Sequence, residues 1–164
     1  MTKDIEVCSN LQDLKSEYVK FKEKYALPEF DDLNRVFDIE ELDIETDFLL
    51  RRIRRIITDR IASYLRFVEA ILNPSNAPMF FFKVIKKLEN SDKESLTRLQ
   101  GILGKIEINV VALDLDYHEE MEAKFIVRIS KCFEEDIKAT LLDIVYKMGN
   151  GENQRTEEKT SYFG

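Results

Sequence analysis

Apolar residues in this chain recur at steps of three and four for most of its length, the period of an α-helix laid against a core. Leu11, Leu14, Tyr18, Phe21 and Tyr25 form the first such stripe, with Ser9 or Asn10 placed to cap it and Pro28 just beyond its end. Phe30, Leu33 and Phe37 predict a short second helix. The third is longer: from Phe48 to Leu72, residues including Leu49, Leu50, Ile53, Ile57, Ile61, Leu65, Val68 and Ile71 cover about half of a helical wheel, which predicts burial against more than one neighbour.

Asn73, Pro74, Ser75, Asn76, Ala77 and Pro78 then interrupt the pattern, because Pro74 cannot extend a helix and Pro78 is tolerated only in the first turn of a new one. That new helix opens on Met79, Phe80, Phe81 and Phe82, more large apolar groups than one face can bury. Ser91 with Glu94 has the spacing of a capping box. Beyond it run two seams, Leu96, Leu99, Leu103, Ile106, Val110, Leu113 and Tyr117 on one side and Gly101, Gly104, Ile108, Val111 and Leu115 on the other. They predict a central helix covered on both sides, where a charge at Val111 would unfold the protein and where the glycines admit a close partner. The alternation of Ile106, Ile108 and Val110 offers a competing strand over 106–117. After a bend near Tyr117, Ile126, Ile129, Phe133, Ile137, Leu141, Ile144 and Met148 mark a last long helix, which Gly149 ends.

The fold class that follows is all-α: a single-domain bundle of five or six helices over 9–148, with a flexible N-terminus over 1–8 and a disordered, mostly polar tail over 149–164. Five glycines and three prolines among 164 residues supply too few tight turns for a sheet protein. Cys8 and Cys132 match no metal-ligand spacing and fit reduced thiols. Neither a signal peptide nor a run of roughly 20 apolar residues is present, so the expectation is a cytoplasmic protein without a membrane segment.

Charge is unevenly spread. Glu29, Asp31, Asp32, Asp38, Glu40, Glu41, Asp43, Glu45 and Asp47 precede a helix that carries Arg51, Arg52, Arg54, Arg55, Arg60 and Arg66. Guanidiniums bind phosphate well, so Arg51, Arg52, Arg55 and Arg66 define a nucleic-acid-binding alternative. The adjacent acids and the net charge of −7 favour internal neutralisation instead. Arg60 projects into the apolar arc among Ile53, Ile56, Ile57 and Tyr64. The expectation there is a structural ion pair with Glu40, Glu41 or Asp43, or with Asp114 or Asp116, because an unpaired buried charge is costly.

Asp114, Asp116, His118, Glu119 and Glu122 supply hard oxygens and one imidazole, the materials of a divalent metal site. Neither an EF-hand nor a zincin spacing is met, since Glu119 stands where the calcium loop needs Gly and His118 is the chain's only histidine. No serine lies in a Gly-flanked elbow and no phosphate-cradling loop occurs, which leaves enzyme activity without a sequence signal and gives no reason to expect a cofactor or small-molecule ligand. The terminal Ser161, Tyr162, Phe163 and Gly164 resemble the aromatic end of a sliding-clamp-binding peptide, yet Thr156 and Lys159 depart from that pattern, so no family follows. The sequence therefore predicts a non-catalytic protein–protein interaction or scaffold subunit, self-associating as a homodimer or higher homo-oligomer, with Met79, Phe80 and Phe82 at the contact.

Overall fold

The computed structural model describes residues 2–42, 48–76 and 79–149 and, apart from residues 2–10, Asn76, Phe80, Lys83 and Val84, their side chains. All regular structure among the described residues is helical. The helices are α1 (Thr2–Tyr25), α2 (Phe30–Phe37), α3 (Leu49–Leu72), α4 (Met79–Ile85), α5 (Asn90–Leu115), α6 (Glu119–Cys132) and α7 (Lys138–Gly149). The strand considered over 106–117 does not form, since residues 106–115 continue α5 and Asp116 and Tyr117 lie in the bend that follows it. The α1 helix spans Thr2–Tyr25, and Ile5 and Cys8 extend the three-residue spacing of Leu11 backwards along it. Asp43, proposed as a partner of Arg60, and the tail from residue 150 lie outside the described residues.

The chain divides into two compact units, one of 1–62 with 106–132 and one of 63–105 with 133–164. In the first, Leu14 and Tyr18 of α1, Leu33 and Phe37 of α2, Ile53 and Ile57 of α3 and Ile126 and Ile129 of α6 are buried. Tyr18 donates its hydroxyl hydrogen bond to the Pro28 carbonyl at 2.8 Å and meets Phe30 edge-to-face at 5.4 Å, which fixes the turn between α1 and α2. That turn starts with Ala26 in the left-handed region at φ 52°, where the Leu27 N–H reaches back to the Lys22 carbonyl.

In the second unit Val68 and Ile71 of α3, Leu96, Leu99 and Leu103 of α5, and Ile144 of α7 form the core, with Phe67 against Phe81 at 6.4 Å and Tyr64 stacked on Phe133 at 6.0 Å. The capping box at the start of α5 falls two residues earlier than its Ser91–Glu94 spacing suggests. Asp92 accepts the Glu89 N–H at 2.9 Å, the acid of the first turn reaching back to the cap residue. The long last helix forms, but with one wide π turn over Phe133–Ile137 between α6 and α7. Ile129, Phe133, Ile137 and Leu141 explain it: three successive steps of four drift about 40° each on an α-helix, and a wider turn restores the apolar side to its core.

Candidate interaction surface

Within the first unit, α3, α5 and α6 are joined by charge. The Arg54 side chain is 1% exposed and that of Glu122 is 0% exposed. Arg54 Nε donates to Glu122 Oε2 at 2.8 Å and its Nη2 to Asp114 Oδ1 at 2.6 Å. Burial works against the charge on Arg54, but the hydrogen bonds to Glu122 and Asp114 outweigh it and hold its pKa above the ordinary arginine value. Arg51 adds a longer contact to Glu122 Oε1 at 3.4 Å, donates to the Leu113 carbonyl at 3.2 Å and lies over the Tyr117 ring at 4.7 Å. Phe48 closes the stack edge-on to Tyr117 at 4.8 Å.

Arg60 does make an ion pair with the acidic run, through Asp38, but the buried arginine of α3 is Arg54. On the α3 wheel both Arg54 and Arg60 fall inside the apolar arc, Arg54 between Ile61 and Leu65. It is Arg54 that faces the acidic end of α5, whereas Arg60 is half-exposed and pairs with Asp38 instead of Glu40, Glu41, Asp114 or Asp116. The arginines of the nucleic-acid alternative do not share a free face either. Arg51 is turned inward, Arg52 is half-buried, and of the exposed pair Arg55 and Arg66 the latter donates to Ser63 at 2.9 Å.

The five residues of the metal alternative are also taken apart by their partners. Asp114 and Glu122 hold Arg54; Asp116 meets His118 at 2.9 Å; Glu119 accepts from Lys24 at 2.8 Å and Tyr25 at 2.6 Å, bonds that hold its carboxyl below the usual carboxylate range. Among the described residues no group of three or more such side chains converges to hold a metal ion.

What the ionic clamp leaves outside is apolar. The buried seam of α5, Leu96 through Leu113, is the one expected, but among the described residues the opposite seam has no cover: Ile108 is 73% exposed, Val111 60% and Leu115 83%. Among the described residues a Cβ on Gly101 or Gly104 would meet nothing within 4 Å, so neither glycine serves a close approach to them. Val111 is therefore a surface residue, not the core position its periodicity implied. Periodicity reports that a face is apolar and says nothing about which molecule covers it. Beside this seam, α5 and α6 enclose a groove of ≈ 290 Å³ lined by Ala112, Leu113, Met121 and Phe125, with Lys124 and Arg128 on its rim. In the second unit Met79, at 87% exposure, and Phe82 project from α4, while the side chain of Phe80 lies outside the described residues.

No protein family, curated protein or solved structure matches this chain. Among the described residues no helix is long and apolar enough to cross a membrane.

Proposed function

We propose that this chain is a non-catalytic protein–protein interaction subunit. The observation that carries the reading is the uncovered seam of α5, three large aliphatic side chains one helical turn apart that are each more than half exposed. Single exposed apolar residues are ordinary, whereas a contiguous line of them marks a contact surface. Met79 and Phe82 of α4 offer a second, smaller contact of the same kind. The inward use of Arg51 and Arg54 supports this reading over the nucleic-acid one, because it takes two guanidiniums out of any phosphate-facing array.

The test is retention on immobilised protein. Wild type and Val111→Asp, each verified as folded by circular dichroism, are exposed to extract of the cells that make the protein and to the purified chain itself. We expect a protein held by wild type and lost with Val111→Asp. Folded wild type that retains nothing, or a bound protein indifferent to both Val111→Asp and Phe82→Asp, removes the reading.

A further inference from the structure

We infer that the outer face of α5 and α6 is the contact for a second copy of this chain, packed antiparallel about a two-fold axis near Val111. The inference rests on the interaction reading above and names the occupant of its surface. Ile108, Val111 and Leu115 are spaced by three and four, the repeat that lets one helix seat along another. Met121 of α6 is exposed beside them and widens the strip.

Charge selects the occupant. The strip is polar along its length, with exposed Asp116 at the bend end and exposed Arg128 toward the far end of α6. Arg128 lies over Phe125 at 5.7 Å, and among the described residues no carboxylate is within ion-pairing distance of it. An apolar strip with an acidic end and a basic end complements its own image under a two-fold rotation. That rotation keeps both α6 helices on one side of the contact and turns one end of the strip onto the other. Arg128 of one copy then lies against Asp116 of the other, twice, while Ile108 of one meets Leu115 of the other. A parallel arrangement would instead set like charges together.

Sedimentation equilibrium of the full chain tests this with five proteins: wild type, Val111→Asp, the single reversals Arg128→Glu and Asp116→Lys, and the double reversal. Wild type is expected to be a dimer, the Val111→Asp variant a folded monomer, and each single reversal a dimer weakened at least tenfold. The double reversal should regain most of the wild-type dissociation constant, a recovery that merely structural damage would not give. Three outcomes overturn the inference: a wild-type monomer at all concentrations, a dimer that Val111→Asp leaves intact, or single reversals that the double reversal does not rescue. The retention experiment separates these from failure of the broader reading, because a different protein bound through Val111 would leave the subunit role standing without the second copy.

Discussion

Arg54 and Glu122, 68 positions apart in the chain, meet through a 2.8 Å hydrogen bond in which neither side chain reaches solvent. A pair of this kind adds little over well-packed apolar residues, since desolvation offsets its attraction, but breaking one half strands a charge. Among the described residues Glu122 then keeps only the 3.4 Å contact of Arg51.

Arg54→Met is therefore expected to destabilise the fold by about 3–5 kcal/mol in urea denaturation. Arg54→Met combined with Glu122→Gln should cost less than the sum of the two single changes, because the double variant has no unpaired carboxylate in the interior. Strictly additive losses would show that the two residues act independently and that the clamp is incidental.

The contrast between Arg54 and Arg60 shows what the sequence could and could not specify here. Spacing alone placed α2, the long α3 and the buried seam of α5 correctly, because each depends on a period that a single segment carries. It also showed that a guanidinium enters the apolar arc of α3. Choosing between two arginines in that arc requires knowing which side faces the carboxylates more than fifty residues away, and that is tertiary information. The same limit applies to Asp92: a capping acid was legible, its register was not, because Ser91 with Glu94 and Glu89 with Asp92 share one spacing and only the second has Lys147 beside it.

Val111→Asp is expected to fold and to change the stability of the monomeric chain by no more than about 0.5 kcal/mol, as for other exposed positions. The reasoning is direct: at 60% exposure the new carboxylate keeps its water. A thermal melt under dilute conditions measures it. Loss of the folded state would mean that the outer seam of α5 is covered by this chain itself.

Gly101→Ala should stabilise the protein by about 0.5–1 kcal/mol, the usual gain for replacing glycine inside a helix. Among the described residues nothing lies within 4 Å of the added methyl group, so no clash with them opposes the gain in helix propensity. The denaturant midpoint should rise with an unchanged slope. A fall in the midpoint would place an unseen neighbour against this position.

The acid limb of the stability curve should carry the signature of Asp92. Its carboxyl is buried, accepts a 2.6 Å hydrogen bond from Lys147 and a 2.9 Å bond from the Glu89 N–H, and these two partners hold its pKa below the ordinary 3.8 against the opposing effect of burial. Because the folded-state value is the lower one, the ionised form stabilises the fold fully at pH above 3.8, and the contribution is lost as pH falls from there through the depressed folded value. Asp92→Asn should remove about 1 kcal/mol of cap stability at neutral pH. More tellingly, it should flatten the stability curve of the second unit below pH 3.8, where wild type still declines. Lys147→Met should cost less at neutral pH and leave part of that decline in place, since the Glu89 N–H bond to the carboxylate survives. If Asp92→Asn and wild type lose stability in parallel over the same acid range, the depressed carboxyl belongs to another residue.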